Sequence, residues 1–152
     1  MTSSKDEPHW ACRGVRGATT ASADTADAIL RATRELLDAL IRANDMHEAD
    51  VASIFFTTSP DLTAAYPAAA ARQLDWTDVA LLSAQEMAPP GSVPRCIRIL
   101  VHWNTSLPQH AIQHVYMRGA EVLRPDRAQQ HPTTPGTNGT ARHPHHQAGG
   151  VQ

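Results

Sequence analysis

Apolar and polar positions change their period several times along the chain, and each change predicts an element. Ala11 to Thr19 (ACRGVRGAT) alternates and reads as a short strand. A polar loop ends at Asp24, a predicted helix N-cap. Beyond it Ile29, Leu30, Leu36, Leu37, Leu40 and Ile41, with Thr33 on the same stripe, recur at helical spacing to about Ala43. Arg31, Arg34, Glu35, Asp38 and Arg42 fall on the opposite side of that long helix. Val51 to Thr58 (VASIFFTT) is a strand closed by the turn residues Ser59-Pro60-Asp61. Tyr66-Pro67 opens an alanine-rich helix reaching Leu74, with Pro67 suited to its first position.

Val79 to Ser83 is a third strand, and the proline and glycine of Ala88 to Pro94 (APPGSVP) make a loop. Cys96 to Trp103 (CIRILVHW) is the clearest buried strand: Ile97, Ile99, Val101 and Trp103 face one way, Cys96, Arg98, Leu100 and His102 the other. Pro108 starts a short helix through about Val115, and Ala120 to Leu123 forms a last strand before Arg124-Pro125. The order β-α-β-α-β-β-α-β predicts an α+β fold, a mixed β-sheet with one long helix and short helices largely on one face.

Composition limits that fold to one domain, residues 10–127 of the 152. Residues 1–9 are polar and predicted to be a disordered tail. Residues 128–152, rich in His, Pro and Gly, hold almost no large apolar side chain to repay the entropy of ordering, and are predicted to be a second disordered tail. His131, His143, His145 and His146 lie there; ligands on a solvated segment lack fixed geometry, so no metal site is expected. Lys+Arg of 13 against Asp+Glu of 15 gives no basic field for nucleic acid. No run approaches the roughly 18 apolar residues of a membrane span, and MTSSKDEPHW lacks a signal-peptide core. A soluble cytoplasmic protein is therefore expected, with no membrane partner. Cys12 and Cys96, each in a predicted strand and neither in a CxxC pair, are expected to be buried free thiols.

Nucleophilic machinery is missing: there is no GxSxG, HExxH, CxxC pair or GxxxxGK[ST]. What remains is a scatter of arginines at strand positions, which suits binding a polyanion. Arg98 lies mid-strand among apolar neighbours, so its guanidinium must meet either an acidic side chain, such as Glu86 or Asp61, or a ligand anion. Arg16 poses the same choice. Glu86 reads equally as a loop carboxylate, Tyr116 as a core edge, Arg72 as a solvated helix face and Arg124 as a surface charge. In RGVRG, alternation puts Arg13 and Arg16 on opposite faces, and Gly14 and Gly17 leave room beside Arg16 for a ligand or a neighbouring subunit.

Taken together, RGVRGATT, TSPDLTAAYPAAAARQL, QEM, RCIRI and HVYMRGAEVLRPD run in this order over about Cys12 to Asp126 and resemble the trimeric α/β class of chorismate mutase. The resemblance implies a homotrimer of the pseudo-α/β-barrel type with active sites between subunits. It implies conversion of chorismate to prephenate, a [3,3]-sigmatropic rearrangement in phenylalanine and tyrosine biosynthesis, with no cofactor, metal or covalent intermediate. By the same resemblance Arg98 would face the negative charge developing on the ether oxygen, Arg16 would bind a substrate carboxylate with Tyr116 beside it, and Glu86 would hydrogen-bond the ring hydroxyl. Ser83, where the family often has cysteine, would also reach that hydroxyl. Arg72, Tyr66, Leu123 and Arg124 would line the entrance or close over the ligand, with Leu82 also at the site. The chain departs from the pattern at Ala69, where a lysine can occur, at Leu82, a threonine-like position, and at Tyr66, which replaces phenylalanine. These departures keep open a non-catalytic trimeric module that binds an aromatic-pathway acid, and more remotely a pericyclic enzyme acting on isochorismate.

Overall fold

In a computed structural model residues 7–124 are described. The tail predicted beyond residue 127, its histidines and the first six residues lie outside them. The first strand, β1, spans Ala11–Thr20, and the long helix, α1, spans Ala26–Asn44. Then come β2 (Val51–Thr58), the short helix α2 (Ala69–Gln73), β3 (Ala80–Gln85), β4 (Cys96–Thr105) and the two-residue β5 (Val115–Tyr116). Single 3₁₀ segments occupy Glu48–Asp50, Gln109–Ala111 and Arg118–Leu123. The strands form one mixed sheet in the order β3-β2-β4-β1-β5. β4 is antiparallel to β1 and β2, while β3 is parallel to β2 and β5 parallel to β1.

One face of the sheet is the core. Val15, Gly17 and Thr19 of β1 align with Val101, Ile99 and Ile97 of β4, and these with Ile54, Phe56 and Thr58 of β2. All are buried, with Leu36, Leu37 and Leu40 of α1 packed against the same cluster. Gly17 lies on this face, under the helix: a Cβ there would stand 2.9 Å from Leu40 Cδ1 and 3.0 Å from Leu36 Cδ1. Its missing side chain makes room for α1 rather than for a ligand beside Arg16, contrary to the expectation. Gly14 does lie on the Arg16 face, opposite His102.

Four other expectations are corrected. The α1 N-cap is Thr25, whose hydroxyl accepts from the Ala28 amide at 3.2 Å; Asp24 is spent elsewhere. The helix expected from Pro108 is one 3₁₀ turn, because Ile112 must leave it to reach the core and Val115–Tyr116 must extend to pair with β1. Ala120–Leu123 is not a strand: the chain turns at Arg118, φ +53°, and winds back over the sheet. Cys12 is exposed on the outer face of β1, and only Cys96 is buried. No helix among the described residues is long and apolar enough to cross a membrane.

Candidate active site

On the face away from α1, side chains line up in rows that the strand register dictates. One row crosses all five strands: Ala84 of β3, Thr57 of β2, Arg98 of β4, Ala18 of β1 and Tyr116 of β5. Arg98 is central, with small neighbours on both sides. The adjacent row runs Leu82, Phe55, Leu100 and Arg16. Alternation thus brings Arg16 and Arg98 to one face one row apart.

Glu86 reaches the first row from just beyond β3. Its amide donates to the Thr58 carbonyl at 2.8 Å, prolonging the β2–β3 ladder, and its Oε2 accepts from the Thr57 hydroxyl at 3.2 Å. The same oxygen lies 3.9 Å from Arg98 Nη1, a loose pairing of side chains 25% and 33% exposed. Asp61, the other partner considered for Arg98, is engaged by the Ser59 hydroxyl and the Arg95 amide. Arg98 Nε is buried and meets no acceptor, and the buried Tyr116 hydroxyl likewise has no partner among the described residues. Buried polar atoms are usually paired, so two orphans in one row, with only Ala18 between them, mark a place shaped for a polar ligand.

Beside them lies the Cys96 thiol, whose pKa burial pushes up, against the opposing hydrogen bond and charge of Arg98. A thiol so held is neutral packing rather than a nucleophile. The Arg118–Leu123 turn closes this end of the face: Ala120 packs on Ala18 and Cys96, with Tyr116, Leu123 and Val93 around it. Leu123 therefore packs on the same cluster as Tyr116, and the half-buried Arg124 follows directly.

The remaining predicted residues sit elsewhere. Ser83 aligns with Phe56, on the core side of β3 and opposite to Leu82. Together with Thr58, Leu62 to Pro67, Ala84 and Gln85 it lines a cavity of about 400 Å³ at the β3 edge of the sheet. Its hydroxyl is buried and likewise has no partner among the described residues. Tyr66 stands at the rim of that cavity, 77% exposed. Arg72 is exposed on α2, which packs against α1. Within one chain, then, Arg16, Arg98, Glu86, Tyr116, Leu123 and Arg124 form one group, Ser83 and Tyr66 another at the far edge, and Arg72 joins neither.

Two contributors escaped the sequence reading. Thr57 fixes the Glu86 carboxylate; its place in the Arg98 row is a matter of register, which no local pattern announces. Asp24, read as a cap, instead accepts from the Thr63 and Ala64 amides at 2.9 and 3.0 Å and from the Thr63 hydroxyl at 3.0 Å. Those bonds to backbone amides hold its carboxyl below the ordinary range and pin the irregular wall of the Ser83 cavity.

Over residues 12–127 the chain matches the family profile of chorismate mutase type I. The chain belongs to the chorismate mutase type I family. It is 51% identical over 115 residues to the chorismate mutase AroH of Thermus thermophilus, which covers 75% of this chain and 94% of that protein. Against the chorismate mutase AroH of Bacillus subtilis the identity is 42% over 115 residues, 75% of this chain and 91% of the relative. The solved chorismate mutase from Clostridium thermocellum superposes with a TM-score of 0.71 at 46% identity, covering 72% of this chain and 97% of that one. The matched region contains both groups of candidate residues.

Proposed function

We propose that the two groups meet across a subunit boundary, so that a homotrimer builds each active site from the Arg98 face of one copy and the Ser83 edge of the next. The chain is a chorismate mutase, an isomerase that converts chorismate to prephenate. In our reading it does so as a soluble cytoplasmic enzyme of phenylalanine and tyrosine biosynthesis, with chorismate as its small-molecule partner and no cofactor, metal or covalent intermediate.

The reaction must fold a flexible dianion into a compact shape and stabilise charge as the ether C–O bond lengthens ahead of C–C bond formation. Arg98 donates to the ether oxygen, where negative charge grows; a fixed donor in a site closed from water acts without reorganising. Arg16 takes a carboxylate, with Tyr116 beside it, and so holds the reacting ends in place. Glu86, its carboxylate steadied by Thr57, accepts from the ring hydroxyl and favours the positive character developing in the ring. Ser83 and Tyr66 of the neighbouring copy supply the opposite wall, with Leu82 and Arg72 of that copy brought to its border by assembly, and Leu123 and Arg124 close the mouth.

The Arg98 row carries this reading: a guanidinium only loosely paired with Glu86, its Nε facing no acceptor, at the centre of a sheet face. Assembly is supported by the neighbouring row, where Leu82, Phe55 and Leu100 are exposed in register, 56%, 38% and 38%. A contiguous apolar stripe of this kind favours burial against another copy. The test is spectrophotometric: purified protein consumes chorismate and forms prephenate. No turnover above the thermal background, in protein of trimeric mass, overturns it.

A further inference from the structure

Arg16 is held by more than its own strand. β5 is two residues long and pairs with β1 only at Gly17 and Ala18, so the Arg16 amide, one position before that pairing, lies past the end of the ladder. An amide at such a position must find another acceptor or go unsatisfied. The imidazole of His114, the residue just before β5, meets it: the Arg16 amide donates to His114 Nδ1 at 3.0 Å. A side-chain nitrogen thus extends the ladder by one bond where backbone pairing stops.

The segment carrying His114 is itself fastened. Asn44, the last residue of α1, is buried; its Nδ2 donates to the Leu40 and Gln113 carbonyls, both at 2.9 Å, and its Oδ1 accepts from the Gln113 amide at 2.9 Å. Both backbone groups of the residue before His114 are therefore locked to the end of the long helix. We propose that Asn44 and His114 are positioning residues for Arg16: the helix end fixes Gln113, Gln113 fixes the imidazole, and the imidazole fixes the strand backbone from which the Arg16 side chain projects. The requirement is chemical as well as steric, because only an unprotonated Nδ1 accepts from an amide. This rests on the role proposed for Arg16 in chorismate binding.

Steady-state kinetics on the assembled enzyme tests it through a double-mutant cycle. His114→Leu keeps bulk and removes the acceptor; it should lower kcat/KM at least about fivefold, and most of the loss should sit in KM, where carboxylate binding is felt. His114→Asn, whose Oδ1 can accept from the same amide, should restore most of it. In an Arg16→Lys background, His114→Leu should cost little more, since its effect runs through Arg16. An equal loss in both backgrounds, or no loss in either, overturns the proposal. Should His114→Leu fail to assemble, ¹⁵N spectra of the wild-type enzyme decide instead: Nδ1 unprotonated at neutral pH supports the relay, and Nδ1 carrying the proton overturns it. Failure of the proposed function reads differently, as absent turnover in the wild type itself.

Discussion

In the mechanism proposed above, the chemistry centres on one guanidinium. Arg98 is neither fully paired nor free: Glu86 stands at 3.9 Å and is itself held by Thr57, while Nε faces no acceptor. A shorter pairing would satisfy the arginine and weaken it as a donor; no pairing would leave a costly buried charge. The sequence reading posed carboxylate and ligand as alternatives for Arg98, and both remain in play at once, because a strand pattern says which face a residue takes but not how closely a loop carboxylate approaches. Replacing Arg98 by citrulline keeps the planar shape and removes the charge. Loss of a transition-state donor at such a site costs about 3 kcal/mol or more. Stopped or steady-state kinetics should therefore show kcat falling by about two orders of magnitude with KM much less changed. Wild-type kcat in that variant would remove Arg98 from the catalytic role.

At the scale of elements, periodicity was a good guide wherever a face is buried and a poor one where a turn decides. The α1 stripe and the Ile97, Ile99, Val101 and Trp103 face are read directly from spacing, because burial on one side imposes the period. The stretch from His114 to Leu123 was misread because its apolar residues serve two ends: Val115–Tyr116 extends β1's edge, and the left-handed turn at Arg118 sends Ala120 back over Cys96. Gly17 was misread for a related reason, since a missing side chain leaves no trace of which face it vacates. That position now gives a sharp expectation. An alanine Cβ would meet Leu40 and Leu36 and also the Val115 carbonyl oxygen at 3.2 Å, and a backbone atom of β5 does not swing aside as a leucine end does. Gly17→Ala should thus lose about 1–3 kcal/mol from overpacking, offset in part by the alanine's lower unfolded-state entropy. Urea unfolding of the two proteins measures it, and equal midpoints would mean that α1 and β5 can yield at no cost.

At the scale of the whole molecule, a single chain leaves the proposed site in two parts. The Arg98 and Ser83 side chains project from opposite faces of the sheet, and no hinge among the described elements could fold a continuous five-stranded sheet to join them. No spacing in the sequence announces this division; resemblance to a trimeric family supplied it, and the separated halves give it a physical reason. The proposed head-to-tail ring of three would make each site from two different chains, and that arrangement has a signature in mixtures. Arg98→Ala should abolish turnover by spoiling one half, and Ser83→Trp should do so by filling the cavity half. Each alone is inactive, yet unfolding and refolding them together at equal amounts should return activity, because about a quarter of the interfaces then pair the intact half of one variant with the intact half of the other. Chorismate consumption by the mixture, set against the two variants refolded separately, measures the recovery. Each half-site must be complete within its own chain for that recovery to occur, so a mixture no more active than its parts, in protein of trimeric mass, would place both halves of each site in one copy.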